Sequence, residues 1–104
     1  MIKFLCVCEG GNCRSVALAQ QLKDRGHDAV AVGWRYNSPE VIAMLALWAD
    51  TVVFLQDFPN PYGIWILEEH RQKVRILDVG PDRWYVAQHP ELNDIIRAKL
   101  SEIL

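Results

Sequence analysis

The sequence predicts an α/β domain, a three-layer sandwich with a central four-stranded parallel sheet and helices on both faces. Four short, almost continuous apolar runs, typical of strands buried on both faces, alternate with stretches in which apolar residues recur at helical spacing. Such alternation favours parallel strands joined by right-handed crossovers. The chain has 104 residues, of which 51% are hydrophobic, enough for one core without metal or disulfide support. We therefore expect residues 1–104 to form a single domain.

The first three elements are a strand, a helix and a second strand. Residues 1–8 are almost wholly apolar, and the Gly-Gly-Asn of residues 10–12 ends this run sharply. From Ser15 to Lys23 the apolar residues recur at helical spacing, and Gly26 provides a helix stop. Residues 29–34 then return to the composition of a strand.

The remaining elements repeat this alternation. Ser38, Pro39 and Glu40 form a typical helix start, with a capping serine, a proline in the first turn and an early acid. The expected elements are a helix at 38–48, a strand at 51–55, a loop at 57–63, a helix at 64–72, a strand at 74–77, a loop at 78–89 and a last helix from Pro90 to the C-terminus.

The loops that follow the four strands are expected to line the opening of one binding site, called the mouth below. In a parallel sheet of this kind, ligands bind outside the carboxyl ends of the strands, where the topology changes direction. The loops span residues 8–15, 34–38, 56–63 and 78–89. Candidate functional residues are therefore expected in these four segments.

Composition and charge argue against several classes of partner. The net charge of −2 leaves no basic surface of the kind that neutralises many phosphates, so we expect no nucleic-acid partner. No run approaches the roughly 20 apolar residues of a membrane span, and the first strand has neither a basic leader nor a small-residue cleavage site. We expect no membrane partner and a cytoplasmic location.

The cysteines are clustered rather than spread along the chain. All three, Cys6, Cys8 and Cys13, lie within the first fourteen residues, so they cannot join distant parts of the fold as in a secreted disulfide framework. No Cys-x-x-Cys pair exists, and the three histidines are scattered singly. We expect reduced, reactive thiols, with no metal site and no cofactor.

A phosphate-binding loop is predicted between the first strand and the first helix. Cys8 and Arg14 enclose five residues there, so that backbone N–H groups and the helix dipole converge on one point, which favours an anion. Arg14 can add a planar, two-pronged contact to phosphate oxygens. Glycines let the backbone adopt strained angles and approach the ligand. The predicted phosphate-binding residues are Glu9, Gly10, Gly11, Asn12, Cys13 and Arg14.

Cys8 is the predicted nucleophile of this loop. The positive environment favours its thiolate over its thiol, and Ser15 could hydrogen-bond its sulfur. Attack on a phosphate would give a cysteinyl-phosphate. The alternative is that Cys8 is a buried structural cysteine beside a glycine-rich turn that starts a helix. The strand before the loop, the glycines within it and the helix after it favour the catalytic interpretation.

Residues 7–15 resemble the phosphate-binding loop of the low-molecular-weight protein tyrosine phosphatases, which reads V-C-x-G-N-x-C-R-S. The matching residues are Val7, Cys8, Gly10, Cys13, Arg14 and Ser15. Gly11 stands where the family has asparagine, and Val16 replaces the usual proline. Residues 77–84 and 90–92 resemble a compact group of predicted bacterial tyrosine phosphatases, whose last loop reads roughly L-D-x-P-D-D-Y followed by P-E-L, with one insertion here.

The resemblance implies a phosphotyrosine protein phosphatase I-like fold and a low-molecular-weight phosphatase-like domain. The implied partner is a phosphorylated protein or a small phosphomonoester, with phosphotyrosine as the expected protein substrate. The resemblance also implies a general acid in the loop after the fourth strand. Asp82, which follows Pro81, is the first candidate. Asp78 is the second, because it ends the strand and could instead be held by backbone hydrogen bonds.

Aromatic and charged side chains near the mouth are candidate substrate contacts. Four aromatic residues lie in or beside two of the loops, at Trp34, Tyr36, Trp84 and Tyr85. Aromatic rings suit a phenyl phosphate through stacking, and packing in the core is the alternative for each of them. Glu9 is expected at the entrance, where an acid would disfavour strongly acidic substrates. Arg35 would either attract substrate there or be a solvated loop residue.

The other two cysteines have separate expected roles. The resemblance implies that Cys13 could form a disulfide with Cys8 and so protect the nucleophile or switch it off. Cys6 lies two residues before the nucleophile in the first strand. We expect Cys6 to be a small residue of the core.

Three other functions share parts of this pattern. Low-molecular-weight arsenate reductases have a similar loop but relay a disulfide through distal cysteines, and this chain has no cysteine beyond residue 13. Sugar-transport phosphocarrier domains carry a phosphorylated cysteine after a first strand but lack the arginine found here as Arg14. A phosphate-binding or regulatory module that has lost turnover stays open, because Gly11 and Val16 depart from the family's loop.

Overall fold

A computed structural model of the chain describes residues 1–10, 13–56, 70–81, 83–84 and 86–104. Within these ranges the strands are β1 (Lys3–Cys8), β2 (Asp28–Gly33), β3 (Thr51–Phe54) and β4 (Val74–Ile76). The helices are α1 (Arg14–Asp24), α2 (Pro39–Trp48) and α3 (Pro90–Lys99), with 3₁₀ turns at Arg71–Lys73 and Leu100–Glu102. None of the described helices combines the length and apolar character needed to cross a bilayer. The predicted loop at 57–63 and most of the predicted helix at 64–72 lie outside the described residues.

The four strands form one parallel sheet in the order β2-β1-β3-β4, which confirms the predicted strand number and direction. β1 lies between β2 and β3, with Cys8 opposite Gly33 and Val7 opposite Phe54. The chain therefore passes from β1 towards one edge of the sheet and from β3 towards the other. The loop after β1 lies where the topology changes direction, which is where ligands bind in such sheets.

Helices cover both faces of the sheet and complete the predicted three layers. On one face, α1 and α3 pack against alternate residues of β1, in a cluster that includes Phe4, Cys6, Leu18, Leu22, Leu92 and Ile96. On the other face, α2 packs against the intervening residues of β1, in a cluster that includes Leu5, Val7, Ile42 and Ala46. Because β1 is buried on both faces, its sequence is a continuous apolar run.

Two of the predicted helix boundaries have the expected geometry. Oγ of Ser38 accepts a hydrogen bond from the Val41 N–H at 3.2 Å, and a proline follows at the first helical position of α2. Gly26 has a φ of +87°, and its N–H donates to the Lys23 carbonyl at 3.0 Å just beyond α1. The last helix is shorter than predicted, because regular helix ends at Lys99 and the chain tightens into a 3₁₀ turn, as is common at helix ends.

The backbone ladder continues beyond the end of β4. The Leu77 N–H donates to the Phe54 carbonyl at 2.8 Å, and the Val79 N–H donates to the Leu55 carbonyl at 3.1 Å. Leu77 and Val79 are buried. The chain therefore keeps its strand direction as far as Val79, and the loop towards the mouth begins there.

Candidate active site

Cys8 lies at the carboxyl end of β1, where the sheet meets α1. Its side chain is buried, and its Sγ lies 3.1 Å from Oγ of Ser15, the second residue of α1. The predicted hydrogen bond between these side chains is therefore present, with the thiol as donor. The Ser15 hydroxyl can also act as a hydrogen-bond donor towards this sulfur. The pair has the geometry that an activated cysteine requires.

Backbone contacts hold the beginning of the loop against the segment after β2. The Trp34 N–H donates to the Cys8 carbonyl, and the Arg35 N–H donates to the Glu9 carbonyl, both at 3.0 Å. Cys13, which is half-buried, is the residue that precedes α1 at the other end of the loop. The loop is thus anchored to β2 at its start and to α1 at its end.

Arg14 joins three of the loops that follow strands. It is the first residue of α1, and its side chain is fully buried. Its Nη1 donates to Oε1 of Gln56 at 2.6 Å and to the carbonyl of Gly80 at 2.9 Å. Gln56 follows β3 and Gly80 follows β4, so the loops after β1, β3 and β4 meet at one guanidinium. A bidentate contact to phosphate would use its Nε and Nη2 edge.

The loop after β4 turns at Gly80. The φ of this residue is +94°, a conformation that favours glycine. Its N–H donates to Oδ1 of Asp78 at 2.9 Å. Asp78, the second candidate for the general acid, is exposed, and this contact is the kind of backbone hydrogen bond that its position at the strand end predicts.

An ion pair lies at the entrance of the loop. Oε1 of Glu9 is 3.2 Å from Nη1 of Arg35, and the two side chains are 34% and 59% exposed. Because the backbones of the same two residues are also hydrogen-bonded, the Glu9 carboxylate is held beside a guanidinium. An exposed pair of this kind contributes little to stability. The pair matters for the site because it places a carboxylate and a guanidinium beside the loop.

The aromatic residues near the mouth occupy different environments. Tyr36 is 73% exposed, Trp34 is half-buried against the α2 side of the core, and Trp84 is 5% exposed in the core on the α1 and α3 side. Nε1 of Trp84 donates to Glu91 at 3.2 Å, and the guanidinium of Arg83 lies 4.6 Å from the centroid of its ring. These contacts support core packing for Trp84. A contact of any of these three aromatic residues with substrate stays a prediction.

Four of the predicted site residues lie outside the part of the chain that the structure describes. Those that lie outside the described residues are Gly11, Asn12, Asp82 and Tyr85. Gly10, the last described residue before the tip of the loop, is partly buried. The roles predicted for the four residues outside the described ranges stay predictions, including that of Asp82 as the general acid. Across the described ranges, no three His, Cys, Asp or Glu side chains are grouped so that they could hold a metal ion.

Cys6 lies in the core, as predicted, and is fully buried. Burial, with a smaller contribution from the nearby Cys8, raises the pKa of the Cys6 thiol well above its ordinary value. The thiol therefore stays protonated near neutral pH. A protonated, enclosed thiol is a packing group rather than a nucleophile.

Gln56 and Gly80, the described residues whose oxygens accept from Arg14, were not among the site residues predicted from the sequence. Gln56 is the first polar residue after the apolar run of β3, at the same end of the sheet as Cys8, and that position is a signal that could have identified it. The carbonyl of Gly80 carries no comparable signal, because every residue has a backbone carbonyl.

Comparison with known proteins shows that the chain is similar in fold to proteins of known structure. No protein-family model and no curated protein sequence matches the chain. The YwlE arginine phosphatase from Geobacillus stearothermophilus is similar in structure, with a TM-score of 0.57 and 17% identity over 99% of this chain and 86% of that one. A YwlE mutant from Bacillus subtilis has a TM-score of 0.54 and 16% identity over 99% and 93%. The chain therefore has the fold predicted for it, the phosphotyrosine protein phosphatase I-like architecture of low-molecular-weight phosphatases.

Proposed function

We propose that this protein is a cysteine-dependent phosphatase that hydrolyses phosphomonoesters, with phosphotyrosine in proteins as its first candidate substrate. The observation that carries the proposal is the 3.1 Å contact between Sγ of Cys8 and Oγ of Ser15. A nucleophile, a hydroxyl that can stabilise its thiolate and the guanidinium of Arg14 are all supplied by the junction of one strand with one helix. The similarity of fold to the YwlE arginine phosphatase supports a phosphatase function in general.

The proposed reaction consists of two displacements. The Cys8 thiolate attacks phosphorus, the P–O bond to the leaving group breaks with its electron pair on oxygen, and Asp82 supplies a proton to that oxygen. Arg14 stabilises the charge on the phosphoryl oxygens. Water then attacks the cysteinyl-phosphate, and its proton passes to the Asp82 carboxylate. Cleavage of the P–S bond restores the thiolate and releases inorganic phosphate.

Phosphoarginine is a second candidate substrate. The similar protein from Geobacillus stearothermophilus is an arginine phosphatase, and Glu9 of this chain already contacts a guanidinium, that of Arg35. Phosphoarginine carries its guanidinium next to the phosphate, so its N–H groups could replace those of Arg35 at the Glu9 carboxylate. A carboxylate at this position also disfavours strongly acidic substrates.

Hydrolysis of p-nitrophenyl phosphate by the purified protein tests the phosphatase proposal, with Cys8→Ser as the matched control. We expect the wild type to release phosphate and the variant to release none above background. Absence of release by the wild type, or equal release by both proteins, would contradict the proposal. The phosphate-binding module would then be the better account.

The substrate class is tested with two peptides of the same sequence, one carrying phosphotyrosine and the other phosphoarginine. The peptide with the larger kcat/KM identifies the preferred substrate. If Glu9 binds the substrate's guanidinium, Glu9→Gln should lower the ratio of the phosphoarginine to the phosphotyrosine kcat/KM about tenfold, the effect of one charge-assisted hydrogen bond. Asp94→Asn, which removes an exposed ion pair with Arg97 on α3, is the control and should leave the ratio unaltered.

Asp82 is tested through the leaving group. Asp82→Asn should slow hydrolysis of phenyl phosphate by roughly 10²- to 10⁴-fold, the range of acid–base catalysis. The loss with p-nitrophenyl phosphate should be smaller, because its leaving group needs little protonation. Equal losses with the two esters would show that Asp82 is not the proton donor.

A further inference from the structure

Two consecutive hydrogen bonds connect the carboxylate of Asp78 with the guanidinium of Arg14. The Gly80 N–H donates to Oδ1 of Asp78 at 2.9 Å, and the Gly80 carbonyl accepts from Nη1 of Arg14 at 2.9 Å. Asp78 is exposed, whereas Arg14 is fully buried. A single glycine therefore links a carboxylate on the outside of the loop to a cation inside the molecule.

The conformation of Gly80 is constrained from both sides. Before it, the N–H groups of Leu77 and Val79 donate to β3 at 2.8 Å and 3.1 Å, so Asp78 lies on a segment that is anchored on either side. At Gly80 itself φ is +94°. After it comes Pro81, which restricts the ψ of the residue before it. The direction of the Gly80 carbonyl therefore depends on the turn that the Asp78 side chain closes.

The orientation of Arg14 depends on that carbonyl. Nη1 of an arginine carries two N–H groups, and among the described residues it donates to Oε1 of Gln56 at 2.6 Å and to the Gly80 carbonyl. Rotation of the guanidinium plane would break at least one of these bonds. Because a planar fork binds phosphate bidentately only when its plane is correctly oriented, loss of either contact should weaken phosphate binding.

We propose that Asp78 is a positioning residue that orients Arg14 for phosphate through the backbone of Gly80, and that it does not supply the proton to the leaving group. The proposal rests on the proposed phosphatase function. Positioning requires only a hydrogen-bond acceptor at residue 78, whereas proton donation requires a carboxyl group. The two roles therefore differ in whether asparagine can replace the aspartate.

The test compares Asp78→Asn, which keeps an acceptor oxygen, with Asp78→Ala, which removes it. Affinity for inorganic phosphate is measured by calorimetry, and kcat and KM are measured with phenyl and p-nitrophenyl phosphate. We expect Asp78→Ala to weaken phosphate binding and to lower kcat/KM about tenfold, by the same factor for both esters. For Asp78→Asn, the phosphate affinity and kcat/KM should stay within about threefold of the wild-type values. Asp24→Ala is the matched control, because Asp24 is also exposed and accepts one hydrogen bond, from Gln20 at 3.0 Å.

Gly80→Ala tests the same link without changing the carboxylate. A Cβ at this position would meet nothing within 4 Å, so the substitution acts through the positive φ alone. It should weaken phosphate binding in the same direction as Asp78→Ala. This variant replaces Asp78→Ala in the comparison if the latter does not fold.

The proposal is overturned if Asp78→Asn is as damaging as Asp78→Ala, or if the loss in either variant grows with a poorer leaving group. It is also overturned if the folded variants Asp78→Ala and Gly80→Ala bind phosphate as tightly as the wild type. Phosphate binding needs no turnover. A wild type that binds phosphate but hydrolyses neither ester would therefore refute the proposed function and leave the positioning of Arg14 to be judged by calorimetry.

Discussion

Cys6 and Cys8 lie two residues apart on β1 and belong to the same side of the core. Both are buried, with exposed fractions of 0% and 2%. Cys6 lies within the strand, between Ala31 of β2 and Val53 of β3. Cys8 is the last residue of the strand, and the pairing of β1 with β3 ends one residue earlier, at Val7. The sulfur of Cys8 contacts Ser15.

These two positions show that equally buried cysteines can have different surroundings. Burial among apolar side chains raises the pKa of the Cys6 thiol, so that this cysteine stays neutral. Cys8 has the Ser15 hydroxyl and the first turn of α1 beside it. The end of the strand is the place where a polar group reaches the sulfur, because further back the apolar side chains of α1 and α3 cover this face of the sheet.

The largest expected difference between the two cysteines is in turnover. Cys8→Ser should lower kcat for p-nitrophenyl phosphate by at least about 10⁴-fold, because the covalent step is lost. Cys6→Ala should retain turnover and lower the free energy of unfolding by about 1 kcal/mol, because only core atoms are removed. Steady-state kinetics and denaturant unfolding of both variants provide the measurements. Residual activity of Cys8→Ser above about one per cent would contradict the covalent mechanism.

Arg14→Lys should produce the next largest effect at the reactive end of the strand. The charge remains but the planar fork is lost, so kcat/KM should fall about 10²-fold. Arg97→Lys is the control, since Arg97 is an exposed arginine that pairs with Asp94 on α3. Near-normal kinetics for Arg14→Lys would mean that the loop does not bind phosphate as proposed.

Ser15→Ala should have a smaller effect on turnover. Without the hydroxyl the Cys8 sulfur loses its hydrogen bond to Ser15, so kcat/KM for p-nitrophenyl phosphate should fall about tenfold. Ser101→Ala, at an exposed serine in the C-terminal 3₁₀ turn, is the control. A kcat/KM of Ser15→Ala equal to that of the wild type would show that the contact between Ser15 and Cys8 is structural only.

The last expected difference concerns the labelling of thiols and requires no turnover. In the folded Cys8→Ser variant, iodoacetamide should modify Cys13 at least about tenfold faster than Cys6, because the Cys6 thiol is enclosed and its pKa is raised. Peptide mass spectrometry measures both rates. In urea the two rates should converge. Equal rates in the folded protein would show that the Cys6 thiol is no better enclosed than the Cys13 thiol.

The sequence by itself determined the features that depend on neighbouring residues. The alternation of apolar runs and helical spacing gives the order of strands and helices, and Ser38 caps α2 as its position predicts. The contact between Cys8 and Ser15 follows from a strand, a tight loop and a helix start within eight residues. These features were predictable because a short segment contains all the groups that interact.

Only the tertiary structure decided what surrounds that segment. Gln56 and Gly80 are separated from Arg14 by 42 and 66 positions in the sequence, and they reach its guanidinium because β3 and β4 lie on the same side of β1 in the sheet. The ion pair between Glu9 and Arg35 likewise requires β2 to lie beside β1 on the opposite side. Strand order is not encoded in the alternation of strands and helices. It results from the packing of helices on the two faces, which brings together side chains and carbonyls that no local pattern relates.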